Sequence, residues 1–152
     1  MLATRQAAVE SLRETMTTNR QIALLTNILS AERDVAVQYA AYGARRVDDE
    51  TQLKAAYLST DRQLAAVRSQ SSWPSPRPGD PRHLASVDAF SGALRVVRNR
   101  TLMNARSPEV NVTLASLFLF YIDVNEFLLV SVAKTNQVNC LRHSSLSLAC
   151  IK

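Results

Sequence analysis

Apolar positions recur over four long stretches of the chain at alternating spacings of three and four residues, the period of a helix that buries one face. In the first stretch Leu12 and Met16 lead into Ile22, Leu25, Leu29, Ala36 and Tyr39, which predicts a helix over 6–42 with Gly43 at its C-cap. The second, 50–68, carries Leu53, Tyr57, Leu64 and Val67 on one face, and the third, 87–104, carries Val87, Phe90, Leu94 and Val97. Ser107 and Pro108 supply an N-cap and a first-turn proline for the fourth, 108–135, whose stripe is Leu114, Leu117, Tyr121, Val124, Leu128 and Val132. Between the second and third helices lies SQSSWPSPRPGDPRHLAS, with four of the five prolines, so a long loop is expected there, pinned by Trp73. Two short connections and one long one describe an all-α, up-and-down four-helix bundle over 1–138. The tail 139–152, NCLRHSSLSLACIK, continues no stripe and reads as irregular, in the manner of a fragment end.

Composition narrows this picture without changing it. At 152 residues the chain has one-domain length, and 47% hydrophobic with 20% charged residues excludes a disordered or disulfide-scaffold class. Only 3 Gly are present, too few to punctuate a many-stranded sandwich or barrel. Residues 114–133 are apolar enough to raise a membrane span. Asp123 and Glu126 would then lie mid-bilayer at roughly 2.5–3.5 kcal/mol per charge, which argues for a core helix instead. No apolar run of signal-peptide type opens the chain.

Charge adds a bias toward anions. The net charge is +5, and 15 of the 18 basic residues are Arg, whose rigid fork suits carboxylates, phosphates and other oxyanions. The arginines are spread along the chain, with a mild excess over 68–106, and they are not interleaved with aromatics, so a solvated basic face is expected in place of a nucleic-acid surface. Cys140, His143 and Cys150 match no zinc spacing, and no metal or cofactor is expected. No nucleophile–base pair or glycine-rich phosphate loop is visible, so an enzyme is not expected.

The unusual feature is what shares the apolar faces. On a helical wheel Glu32 projects at about −60° and Arg33 at about +40° from Leu29; Thr60 and Asp61 lie at about −40° and +60° from Leu64. Arg98 lies about 40° from Leu94, and Tyr121 and Asn125 sit one turn apart among Leu117 and Leu128. Buried charges require partners, so Glu32, Arg33, Asp61 and Arg98 form either a closed polar network or a site for an anionic ligand.

These residues carry a family likeness. NILSAERDVAVQYAAYG resembles the first-helix signature of the nitrate- and nitrite-sensing (NIT) domain, and YLSTDRQLAAV resembles its Thr-Asp second helix. FSGALRVVRNRTL and LFYIDVNEFLL resemble its later helices, the last being similar to versions attached to animal receptor guanylyl cyclases. The resemblance covers about 24–135. It implies a helical sensory input domain that binds nitrate or nitrite through arginines, one of which maps onto Arg33 after the signature Glu; Arg98, inward-facing on the third helix, is a second candidate from its position alone. Glu32, Asp61, Tyr121 and Asn125 are expected to support that site. It further implies a homodimer or a receptor partner domain and an extracellular position on a membrane receptor, to which the sequons at Asn99 and Asn111 are a modest pointer. Asp34 departs from the family pattern, in which Gly follows the Arg, and the length fits one of the two bundles of the family domain. The alternative is a helical protein-interaction or dimerisation module with no small-molecule ligand.

Overall fold

A computed structural model describes residues 2–42, 47–106 and 114–149, with side chains described over 2–42, 49–103 and 114–138. The architecture is all-α, with four helices in chain order: α1 (Leu2–Tyr42), α2 (Val47–Gln70), α3 (Val87–Arg106) and α4 (Leu114–Ala149). Gly43, the Ser107-Pro108 helix start and the Asn111 sequon lie outside the described residues, as do the side chains of Cys140, His143 and Cys150.

The apolar stripes become the core. Ile22, Leu25, Leu29, Ala36 and Tyr39 of α1 pack with Leu53, Leu64 and Val67 of α2, Phe90 and Leu94 of α3, and Leu117, Tyr121, Val124 and Leu128 of α4. Side-chain contacts set the directions. Gln63 of α2 donates to the Gln21 carbonyl of α1 while Gln38 and Tyr39 lie beside Asp49 and Gln52, so α1 and α2 run antiparallel. Asn19 bonds Asn136, Ser30 bonds Asn125 and Glu32 bonds Tyr121, so α1 and α4 are antiparallel as well.

The largest departure from the expected boundaries is at the end of α4. The fourth helix runs on to Ala149, so 139–149 is helical where an irregular tail is expected. A helix already paired along α1 extends without an apolar stripe of its own, because each added residue gains a backbone hydrogen bond without the cost of a new nucleus. Over Leu114–Val138 α4 is long and apolar enough to cross a membrane, and a third of that window is buried in the bundle. Its buried face is core, while Phe118, Leu119 and Leu129 stay exposed.

Residues 71–86 are non-helical apart from one 3-10 turn at Arg82–Leu84. Trp73 holds this stretch against the bundle. Its Nε1 donates to the Leu84 carbonyl at 2.8 Å, and its ring stacks on Phe90 at 5.6 Å and tilts against Phe127 at 6.1 Å. Gly79, at φ 93, occupies the left-handed region that a tight turn among prolines requires. Because the indole supplies both the apolar contact and the hydrogen bond, Trp73→Ala is expected to cost roughly 2–4 kcal/mol by chemical denaturation, and Trp73→Phe about half of that. A loss below about 0.5 kcal/mol for Trp73→Ala would show that the loop contributes nothing to the fold.

Candidate functional site

The α1 stripe places Glu32 where a leucine would be expected, one turn after Leu29 and one before Ala36, and its side chain is completely buried. Arg98 reaches it from α3. Nε donates to Glu32 Oε1 at 2.9 Å and Nη2 to Oε2 at 2.8 Å, the bidentate fork geometry of a strong charge-assisted pair. Nη2 also donates to the Tyr57 carbonyl of α2, and Nη1 donates to Asp61 Oδ1 at 2.6 Å. From α4 the Tyr121 hydroxyl donates to Glu32 Oε1 at 2.7 Å. One buried carboxylate and one guanidinium thus tie all four helices together.

The environment reinforces the charges. The Arg98 guanidinium lies 4.5 Å from the centre of the Tyr57 ring. Its burial works against its charge, but the hydrogen bonds and charge of Glu32, then those of Asp61, outweigh that and hold it above the ordinary arginine range. Burial, followed by the charge of Glu32, pushes the hydroxyls of Tyr121 and Tyr57 well above the ordinary tyrosine value, so both stay protonated.

The expected residues are not all brought together. Glu32, Asp61, Arg98 and Tyr121 form one network, whereas Arg33 points elsewhere. Its Nε and Nη2 meet Asp34 Oδ1 at 3.0 and 2.9 Å, and its guanidinium sits 5.3 Å from the Phe118 ring on the α4 side. Asp34, the residue that departs from the family pattern, occupies the fork that the resemblance assigns to the ligand. Asn125 donates to Ser30 Oγ at 2.9 Å, and its own Oδ1 is buried without a partner among the described residues. It supports the α1–α4 contact, two turns of α1 from Arg33 at most.

The network has one edge open to solvent. Tyr57, Asp61, Asp88, Ser91, Arg95, Arg98 and Asn99 border a groove of about 550 Å³ between α2 and α3. Asp61 is 56% exposed there, against 11% for Arg98. Arg95 and Asn99, exposed on the groove rim, escape a reading by apolar stripes because they lie off the α3 stripe, one and five residues past Leu94. Among the described residues no cluster of His, Cys, Asp and Glu has the arrangement of a metal site. Comparisons with protein-family models, with curated proteins and with solved structures give no match.

Proposed function

We propose that this bundle is a sensory input module that binds a small oxyanion of the nitrate or nitrite class. The observation that carries the reading is convergence. Glu32, Asp61, Arg98 and Tyr121 come from the four separate stretches that resemble the NIT domain, and they meet at one point joining all four helices. A ligand that alters such a node acts on every helix at once.

Charge balance limits where the ion binds. The cluster holds two carboxylates against one guanidinium, so a further anion is unfavourable unless a carboxylate leaves. Glu32 is fully buried and held bidentately; Asp61 is half in water and held by one bond. The oxyanion therefore replaces Asp61 at Arg98 Nη1, with Arg95 and Asn99 on the rim as further donors. Among the described residues Arg95 has no carboxylate partner, and its fork fits a planar oxyanion.

Thermal unfolding in nitrate against chloride at matched ionic strength tests this. Millimolar nitrate is expected to raise Tm, by the equivalent of about 2.7 kcal/mol at a hundred times Kd. Asp61→Asn removes the competing charge and is expected to tighten binding, while Arg95→Ala weakens it. Arg33→Ala is expected to leave the shift intact; its loss in that variant alone would move the ion to Arg33. Absence of any nitrate-specific shift in the wild type would remove the oxyanion reading. The second reading, an interaction module without a small ligand, is favoured by the exposed apolar residues of α1 and gains from that outcome.

A further inference from the structure

The first half of α1 carries a surface that the bundle does not use. Relative to Val9, the core residues Ile22, Leu25 and Leu29 project at about 140–160° to either side of the helix axis, that is, on the opposite face. The outward face, within about 40° of Val9, bears Leu2, Arg5, Val9, Arg13, Met16 and Arg20. Leu2 is 84%, Val9 58% and Met16 63% exposed. All three arginines are exposed and, among the described residues, none has a carboxylate partner. Glu10 and Glu14 lie toward α2, where they and Arg13 border a second hollow beside Ser69 and Gln70.

We propose that this face of α1 docks an acidic amphipathic helix of a partner protein. Leu2, Val9 and Met16 are spaced by seven residues, one of the two apolar positions per heptad of a helical seam, and Leu12 supplies the second in the middle heptad. Val9, Leu12 and Met16 already line a shallow hollow with Arg13 and Arg20, so knobs from a partner have a place to enter. Charge selects the partner. Arg5, Arg13 and Arg20 flank the seam with no acid among them, so glutamates or aspartates beside the partner's apolar seam would be paired along its whole length. The same arginines disfavour a second copy of α1 in this position, where like charges would face one another. The seam is narrow and lacks aromatic residues, unlike the broad apolar face of a helix that lies in a bilayer interface. The inference is independent of the oxyanion reading, since no residue is shared between the two surfaces.

Fluorescence anisotropy with a synthetic 21-residue probe provides the test. The probe has Leu at both seam positions of each heptad and Glu at the flanking positions, whose mutual repulsion keeps it monomeric; a control has Lys in place of Glu. The whole protein is expected to bind the Glu probe at least tenfold more tightly than the Lys probe. Arg13→Glu combined with Arg20→Glu reverses that preference, and Val9→Asp with Met16→Asp abolishes binding of both, while circular dichroism shows an unchanged bundle because these side chains are outside the core. Three results overturn the proposal: no binding of the Glu probe, binding indifferent to the charge reversal, or occupation of this face by something else. The last would be seen as sedimentation with phosphatidylserine vesicles, or self-association of the protein alone, that is lost in Val9→Asp with Met16→Asp.

Discussion

Arg98→Met is expected to destabilise the bundle by about 3–5 kcal/mol, lowering Tm by roughly 10 °C or more. Glu32 would remain completely buried with the Tyr121 hydroxyl as its sole side-chain partner among the described residues, and a desolvated carboxylate without a counter-charge is among the costliest features a core can hold. A domain of this size has only about 5–15 kcal/mol in total, so the variant would sit near its unfolding threshold at physiological temperature. The informative comparison is the triple variant Glu32→Leu, Arg98→Met, Tyr121→Phe, which removes every polar member together. Replacing a buried ion pair by apolar groups of similar volume is often neutral or stabilising by about 1–4 kcal/mol, so the triple variant is expected to regain most of the loss. If it melts as low as Arg98→Met, the network is a true source of stability and needs no functional explanation. If it recovers the fold, the cluster is retained for something other than stability, and its nitrate response becomes the decisive measurement. A change below about 1 kcal/mol for Arg98→Met alone would mean that the pair is not buried in solution.

How much of this was legible in the sequence depends on the range of the interaction. Helix periods are local, so four stripes and the loop with its Trp73 anchor follow directly from spacing. The inward position of Glu32 is legible for the same reason, since Leu25, Leu29, Glu32 and Ala36 share one face whatever the partner helices do. Arg33 shows the limit. Its angle to Leu29 puts it at the core edge, from which a long side chain can turn either way, and the choice is made by Asp34 beside it and by Phe118 across on α4. That Arg98 engages Glu32 in place of Arg33 depends on the relative rotation of α1 and α3, a tertiary quantity that no stripe encodes. The extension of α4 to Ala149 is hidden likewise, because a helix already formed propagates without a new nucleus through residues that carry no apolar stripe.

Alkali provides the second large effect, and its sign follows from the two raised tyrosines. In the unfolded chain Tyr57 and Tyr121 ionise near the ordinary value of about 10. In the folded protein burial first, and then the neighbouring Glu32 charge, keep both protonated beyond that value. Above pH 10 the unfolded state therefore binds fewer protons than the folded one, and stability falls as pH rises. Below that pH the contribution is fully present, so the melting temperature should show no tyrosine-linked change between pH 7 and about 9.5. Each tyrosine contributes a slope of about 1.4 kcal/mol per pH unit, so the pair is expected to remove about 2.7 kcal/mol for every unit above 10. Tyr121→Phe separates the two. At pH 7 it costs roughly 1.5–3 kcal/mol, the value of a hydrogen bond to a charged acceptor, and it halves the alkaline slope. Denaturant titrations at half-unit steps from pH 8 to 11.5 measure both quantities. A slope that Tyr121→Phe leaves unchanged would show that the Tyr121 hydroxyl reaches water in the folded state, and with it that the contact from α4 to Glu32 opens in solution.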